Sequence, residues 1–230
     1  MEFLWEVLAD AVEVLSRAGP ELWMVVALTL AVSAASTGIG VLLGIPLGAA
    51  LALGRFRGRG VLRLAVSVGM GFPPVLAGLL LLLAFWRSGP LGGLGLIFTP
   101  PAMVIAQVIL ATPVAAGVVS GSIRGLGMVP MEQLAALRLG RVARGLVAVR
   151  EARAGVATAV AASFGRVVAE VGAVLVVGGN ILGETRVLTT LIVEESRQAR
   201  FGAAVAAGAV LLIIALGVNI AVGRLGGDGP

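Results

Sequence analysis

Apolar runs long enough to cross a bilayer recur along this chain of 230 residues. The first extends from Leu22 to Gly54, 33 residues without Asp, Glu, Lys or Arg. A helix of about 20 apolar residues covers the ~30 Å of hydrocarbon in a membrane, and 59% of the residues are hydrophobic while 13% are charged. This pattern excludes a water-soluble fold and predicts an all-α integral membrane protein. We expect about five transmembrane helices, at residues 22–53, 64–86, 102–123, 155–182 and 201–223.

The segment before the first run, residues 1–20, predicts an amphipathic helix. Its apolar residues recur at helical spacing, and the four acids Glu2, Glu6, Asp10 and Glu13 lie among them. A secretion signal opens with basic residues instead, so we expect no cleavage. An amphipathic helix lies at the membrane interface or packs on a neighbouring helix, and the sequence leaves both roles open.

The chain contains no Cys, His, Tyr or Lys. Without Cys and His it has no disulfides, no metal site of those ligands and no Ser-His-Asp triad. Without Lys it cannot contain the lysine of a nucleotide-binding phosphate loop. We therefore expect no catalytic site, no cofactor and no metal in this chain.

The arginines predict the orientation in the membrane, because Lys and Arg concentrate in cytoplasmic loops. Of the connections between the predicted spans, one set carries 11 arginines, at 55–63, 124–153 and 224, and the other set carries five. The first set is therefore expected to be cytoplasmic. This places the N-terminus outside, the C-terminus in the cytoplasm, and residues 124–153 in one large cytoplasmic connection.

That connection contains a short predicted helix, Met131 to Gly140, and then a basic run, Arg141 to Arg153. The helix places leucines beside alanines and a glycine where water would favour polar groups, so we expect it to dock in a groove on a partner. A solvated loop that only fixes the orientation of the chain is the alternative.

The same helix resembles the coupling helix of permease subunits in ATP-binding-cassette (ABC) importers, whose signature is Glu-Ala-Ala, three residues, and Gly. Aligned on Gly140, the chain has Leu134 where the signature has Glu; aligned on Glu132, it keeps the acid but has Leu134 at the second Ala and Arg138 at the Gly. The resemblance implies that a cytoplasmic ABC ATPase docks at Glu132, Leu134, Ala135, Ala136 and Gly140.

A longer series of motifs resembles the tungstate-importer permeases, which are related to the molybdate ones. The resemblance covers about residues 22 to 223. The motifs are Gly165-Arg, Glu170-Val-Gly-Ala, Gly178-Gly-Asn, Thr185-Arg-Val-Leu-Thr-Thr, Phe72-Pro-Pro-Val, Arg87-Ser-Gly-Pro-Leu, Arg150-Glu-Ala-Arg and residues 98–107.

This resemblance implies a permease subunit of an ABC importer for tungstate, in the cell (inner) membrane and with the type I importer architecture. It also implies the partners: a second copy of the chain, two cytoplasmic ATPases that supply the energy, an extracytoplasmic tungstate-binding protein and membrane lipid, but no nucleic acid. Two alternatives stay open. The cargo could be molybdate or another oxyanion, or the chain could be a membrane scaffold or assembly protein that conducts no solute.

Prolines and amides inside the predicted spans are candidates for the translocation path. Pro73, Pro74 and Pro113 leave backbone carbonyls without helical partners, which is tolerated where a helix meets protein or water; a simple kink is the alternative. Gln107 and Asn180 could offer hydrogen bonds along such a path, as could Thr185, Thr189 and Thr190, or these groups could cap helices and bond to neighbouring backbone.

Arg166 and Glu170 are the charged residues within the predicted fourth span. Their spacing of four predicts that they lie on one helix face, where pairing would offset the cost of about 2.5–3.5 kcal/mol or more for each charge in hydrocarbon. The pair is either a structural element of the bundle or a gate on the path.

Overall fold

The computed structural model describes residues 2–127 and 140–226. Within these residues the chain is helical and contains no β-strand, which confirms the predicted all-α fold class. A short 3₁₀ helix (Gly92–Leu94) lies between the fourth and fifth α-helices. The α-helices are α1 (Glu2–Ser16), α2 (Pro20–Leu53), α3 (Arg59–Met70), α4 (Pro74–Phe85), α5 (Pro100–Arg124), α6 (Arg141–Glu151), α7 (Arg153–Val168), α8 (Gly172–Gly178), α9 (Leu188–Arg197) and α10 (Phe201–Gly226).

Three of these helices, α2, α5 and α10, are each long and apolar enough to cross a membrane. Two further pairs reach that length only together: α3 with α4, bent by 103° at their break, and α7 with α8, bent by 57°. The described residues therefore hold three candidate spans, or five if each bent pair crosses the membrane once.

The structure differs from the predicted spans at the two bent pairs and in the connections. The predicted interruption by Pro73 and Pro74 is present, but the single helix expected over 155–182 is two helices. The basic run after Gly140 forms α6, and the connection before residue 201 contains α9. Neither of these two helices was predicted, because both are too short and too polar to be recognised from hydropathy.

The chain divides into two compact units. The first comprises Met1–Ala35, Pro73–Gln107 and Val168–Gly217, and the second comprises Ser36–Phe72, Val108–Val167 and Val218–Pro230. Helices α2, α5 and α10 contribute residues to both.

In the second unit, α2 and α5 pack with almost nothing between their backbones. A Cβ built on Gly40 would lie 2.6 Å from the Cβ of Ala111, and one on Gly48 would lie 2.6 Å from the carbonyl oxygen of Ala116. Gly44, one turn from each, is as tightly covered. The spacing of four places these glycines on one face, and small residues there allow the close contact that the sequence predicts.

Helices α6 and α7 join the same unit through alanines. Ala148 of α6 and Ala159 of α7 are fully buried in one apolar cluster with Val119 and Ile123 of α5. The short side chains let α6 lie directly on α5, so the basic run that follows Gly140 is anchored to a membrane helix.

In the first unit, α1 packs on the start of α10. Ala11 is buried, the rings of Phe3 and Phe201 meet edge to face with centroids 6.0 Å apart, and a Cβ on Gly202 would lie 2.5 Å from the Cβ of Asp10. Packing on a neighbouring helix is therefore one role of α1, while most of its other apolar residues are exposed.

The core of the first unit joins α2, α9 and α10. Val25, Val26, Leu188 and Ala207 form its buried apolar cluster. The hydroxyl of Thr29 on α2 accepts a hydrogen bond from the N–H of Leu188 at 2.9 Å, so a side chain of α2 satisfies an open donor at the first residue of α9.

Candidate functional site

The first break lies between α3 and α4 and is caused by consecutive prolines. Pro has no backbone N–H, and the residue before a Pro is forced out of the helical conformation. Pro73 is accordingly extended (φ −63°, ψ 117°) and Pro74 is the first residue of α4, where a missing N–H removes no hydrogen bond. Helix α3 ends at Met70 and α4 begins at Pro74, so the chain is broken here and does not kink within one continuous helix.

The second break lies between α7 and α8 and contains no proline. Glu170 is buried there, 5% exposed, and its carboxylate accepts a hydrogen bond from the N–H of Ala173 at 3.1 Å. The hydroxyl of Thr189 donates to the carbonyl oxygen of Glu170 at 3.1 Å. The break therefore has its own partners for the backbone groups that a continuous helix would pair internally.

Arg166 and Glu170 do not lie on one continuous helix, and their pairing stays a prediction. Helix α7 ends at Val168, so Arg166 lies in its last turn, half-buried, whereas Glu170 lies beyond its end and bonds to the start of α8. A spacing of four brings two side chains onto one face only while the helix is unbroken.

The two breaks are neighbours in space, because the half-helices that follow them pack on each other. A Cβ on Gly172 would lie 2.5 Å from Cγ2 of Val75, the residue after Pro74. Three residues further along α4, a Cβ on Gly78 would lie 2.9 Å from Cα of Ala173. The structure thus brings Pro73, Pro74 and Glu170 together in the first unit.

Pro113 behaves differently from the proline pair. It lies within α5, which continues to Arg124, and a Cβ on Gly69 of α3 would lie 2.9 Å from its Cβ. Pro113 is therefore a packing surface for α3 in the second unit. Gln107, also on α5, is 4% exposed, so its amide is buried.

Asn180 lies in a tight turn at the end of α8. Gly179 and Asn180 both have positive φ, 72° and 53°, a conformation that Gly adopts freely and Asn tolerates. The Asn180 side-chain oxygen accepts a hydrogen bond from Nε of Arg186 at 3.1 Å, and its carbonyl oxygen accepts one from the same guanidinium at 3.4 Å.

The three threonines that follow all bond to backbone. The Thr185 hydroxyl donates to the carbonyl of Gly178 at 2.5 Å, and the Thr190 hydroxyl accepts from the N–H of Val187 at 3.1 Å. Together with the bond from Thr189 to Glu170, these contacts decide between the two roles that the sequence left open: the threonines fix the turns around α8 and α9.

The predicted docking helix falls largely outside the described residues, since Glu132, Leu134, Ala135 and Ala136 belong to the stretch 128–139. Gly140, which follows it, is exposed and immediately precedes α6, where its carbonyl accepts the N–H of Arg144 at 2.9 Å.

Charged residues that the sequence reasoning did not single out line a cavity of 660 Å³ in the first unit. Arg17, Arg186 and Arg200 contribute cations, and Glu21 and Glu195 contribute anions. Arg186 belongs to the recognised motif Thr185 to Thr190. It was not a candidate site residue because a charge in a connection between spans is usually solvated. The signal that could have found it is the preceding Gly-Gly-Asn, which predicts a turn that holds the next residues in place.

Three long apolar helices and two broken spans that meet are the architecture of a multi-pass membrane permease. The family described as "Binding-protein-dependent transport system inner membrane component" matches residues 40–226. The chain belongs to this family of membrane permeases.

Individual relatives match over most of their length. The chain is 43% identical to the "Probable anion ABC transporter permease protein" of Haloferax volcanii, over 85% of this chain and 86% of that protein. It is 34% identical to the tungstate uptake system permease protein TupB of Peptoclostridium acidaminophilum, over 95% and 96%. It is 31% identical to the molybdenum transport system permease protein ModB of Azotobacter vinelandii, over 80% and 86%.

Family membership implies that the chain operates with a substrate-binding protein and with an ATPase. Because the chain has no Lys, it cannot form the phosphate-binding loop with which such ATPases hold ATP.

Proposed function

We propose that the chain is the transmembrane permease of an importer for tungstate. The observation that carries this proposal is the 34% identity to a tungstate uptake permease, which extends over 95% of the chain. The geometry supports conduction, because spans broken at neighbouring positions are typical of transporter paths. The chain itself needs no cofactor for this role.

The path or its gate lies at the two breaks in this proposal. Pro73, Pro74 and Glu170 converge there. Arg166, in the last turn of α7, and Asn180, after the end of α8, belong to the same candidate set. Gln107 and Pro113 belong to the same candidate set, as buried and packing residues of α5.

The proposed orientation follows the arginines, with the N-terminus outside and the C-terminus in the cytoplasm. The ATPase then meets the connection 124–153 and docks at residues 132–140. Helix α6 supports this assignment, because Val142 and Leu146 lie one turn apart on it and are 77% and 67% exposed. Apolar side chains that stand in water on a basic helix are suited to contact with a partner.

The complete importer in this proposal contains two copies of the chain, two ATPases, an extracytoplasmic tungstate-binding protein and surrounding lipid. Affinity for the cargo resides mainly in the binding protein. Tungstate and molybdate are both tetrahedral dianions, so a path that relies on hydrogen bonds and a positive field discriminates poorly between them.

Molybdate is the second candidate cargo, and the identity of 31% to a molybdenum transport permease favours it over other oxyanions. A scaffold that conducts nothing is the candidate outside transport. A single uptake assay distinguishes both of these alternatives from the tungstate importer.

That assay reconstitutes the permease with its ATPase and binding protein in vesicles and measures ATP-dependent accumulation of tungstate, molybdate and sulfate. Tungstate uptake that requires both ATP and the binding protein is the expected result, with comparable molybdate uptake if the binding protein is saturated with it. Uptake of molybdate without tungstate would replace the cargo, and the absence of any solute uptake in an intact, ATP-hydrolysing complex would favour the scaffold.

A further inference from the structure

The charged cavity of the first unit is lined by residues of four helices and of the turn that follows α8. Its lining comes from the end of α1, the start of α2, the turn after α8, and parts of α9 and α10. In the proposed orientation these residues belong to the extracytoplasmic side, where the binding protein would release its cargo. At 660 Å³ the cavity has room for a small oxyanion together with part of its hydration shell.

Of the three arginines that line this cavity, Arg186 is the one that bonds to no carboxylate among the described residues. In the described part of the chain, its guanidinium bonds to two neutral oxygens, the side chain and the carbonyl of Asn180. A guanidinium has five N–H donors, so these two bonds orient the group and leave other donors for a ligand. The positive charge remains available to a ligand.

The turn that carries Arg186 is built to hold it. Gly179, Asn180 and Gly183 all have positive φ, and the N–H of Arg186 donates to the carbonyl of Ile181 at 3.0 Å. Arg186 is thus held by hydrogen bonds at its backbone N–H and at its guanidinium.

The other charges of the cavity moderate its field. Arg200 donates Nε and Nη2 to the buried carboxylate of Glu195, at 2.6 and 2.9 Å, and the exposed Arg17 pairs with Glu13 at 2.8 Å. Glu21 adds an acid to the lining. Among the described residues, these two pairs leave Arg186 as the lining cation that bonds to no carboxylate, and Glu21 as the lining acid outside the pairs.

We propose that this cavity is the reception site for the oxyanion, with Arg186 as its anion-binding residue. A guanidinium matches two oxygens of a tetrahedral oxyanion with parallel N–H donors, and the acid Glu21 in the same lining limits how tightly the anion is held. This inference rests on the proposed function for the identity of the anion.

The chain contains no Cys, so a single introduced thiol reports the local potential. Leu182 lines the cavity and is 54% exposed, while Leu94, in another turn of the same unit, is 61% exposed and does not line it. The purified permease with Leu182→Cys or Leu94→Cys is treated with an anionic and with a neutral methanethiosulfonate. The ratio of the two rates cancels differences in exposure.

We expect a higher anionic-to-neutral ratio at Leu182→Cys than at Leu94→Cys. Adding Arg186→Gln should lower the first ratio about three- to tenfold, the effect of one charge at about 8–10 Å in a partly aqueous surrounding, and Arg186→Lys should preserve it. Millimolar tungstate should slow the anionic reagent at Leu182→Cys alone, compared with sodium chloride at equal ionic strength. Equal ratios at the two positions, or no effect of tungstate, would overturn the proposal.

The phosphate of a lipid headgroup has similar chemistry, so the ratio is also measured in nanodiscs of neutral and of anionic lipid. If anionic lipid suppresses the ratio and tungstate does not, the cavity binds lipid and the reception site is wrong. In vesicles, Arg186→Gln should reduce tungstate uptake about three- to tenfold, the same single-charge effect, while Arg197→Gln, an exposed arginine outside the lining, should not.

These measurements separate the two proposals. Protection by tungstate without any uptake in vesicles would leave the anion site standing and refute the importer for tungstate. Tungstate uptake that Arg186→Gln leaves unchanged, together with unaltered labelling, would refute the reception site alone.

Discussion

Gly44→Ala tests whether α2 and α5 are held together by direct backbone contact. The added Cβ would collide with the Cβ of Ala115 and would lie 3.0 Å from both the N atom of Ala116 and the carbonyl oxygen of Thr112. Two of these three neighbours are backbone atoms, which cannot turn away as a flexible side chain does. The methyl group fits only if the two helices separate.

The magnitude follows from two opposing effects. Overpacking of this kind costs about 1–3 kcal/mol, whereas Ala in place of Gly favours a helix by about 1 kcal/mol. The same helix offers a matched control, because Gly38 is exposed and a Cβ there has no heavy atom within 4 Å. Gly38→Ala therefore carries the helical gain without the collision, and the two variants should differ by about 1–3 kcal/mol.

The assay is reversible unfolding of the purified permease in mixed micelles, by titration with a denaturing detergent and circular dichroism. Gly44→Ala should unfold at a lower denaturant fraction than Gly38→Ala, with the parent about 1 kcal/mol less stable than Gly38→Ala and between the two variants or level with Gly44→Ala. If the two variants unfold together, α2 and α5 do not meet at Gly44 and the close contact is refuted.

Three further predictions concern the breaks, the docking helix and the orientation. Glu170→Leu should lower the unfolding free energy by about 1–2 kcal/mol more than Glu170→Gln, which keeps an oxygen for the Ala173 N–H; equal losses in the same titration would contradict this role. Ala136→Glu should leave the permease in the membrane but weaken co-purification of the ATPase, at a cost of about 1–3 kcal/mol, and unchanged co-purification would exclude the helix as the docking element. Reporters fused to the two termini should lie on opposite sides of the membrane, and a shared side would remove the five-span topology.

The sequence predicts a helix or a break wherever one local property of the residues is sufficient to cause it. Hydropathy alone predicts α2, α5 and α10, because a long uncharged run has no other stable form in a bilayer. The spacing of Gly40, Gly44 and Gly48 predicts a close helix contact, although it does not identify α5 as the partner. Pro73 and Pro74 predict a break, since the cause is in the covalent structure of the residues themselves.

The second break, between α7 and α8, could not be predicted because it depends on contacts between residues that are far apart in the sequence. The run from Arg153 to Gly178 has helical spacing and no proline, and the contacts that replace the helical bonds come from Glu170 and from Thr189, 19 residues later. Helix α9 was not predicted because it is short and polar. Its buried face holds Thr189, Thr190 and Glu195, and polar residues on a buried face reverse the pattern by which an amphipathic helix is recognised.

The two breaks, although adjacent, are therefore different in kind. At Pro73 and Pro74 the chain lacks two consecutive N–H groups that a continuous helix would use, so joining α3 to α4 would leave two carbonyl groups without their helical partners. At residues 169–171 every backbone donor is present, and the break persists because Glu170 and Thr189 offer hydrogen bonds that compete with the helical ones. Each such bond contributes about 0.5–1.5 kcal/mol net, or somewhat more when a charged group takes part. The break between α3 and α4 is therefore fixed by the covalent structure of the prolines. The break between α7 and α8 depends on side-chain hydrogen bonds worth a few kcal/mol in total, so a substitution at Glu170 or Thr189 alters this second break and not the first.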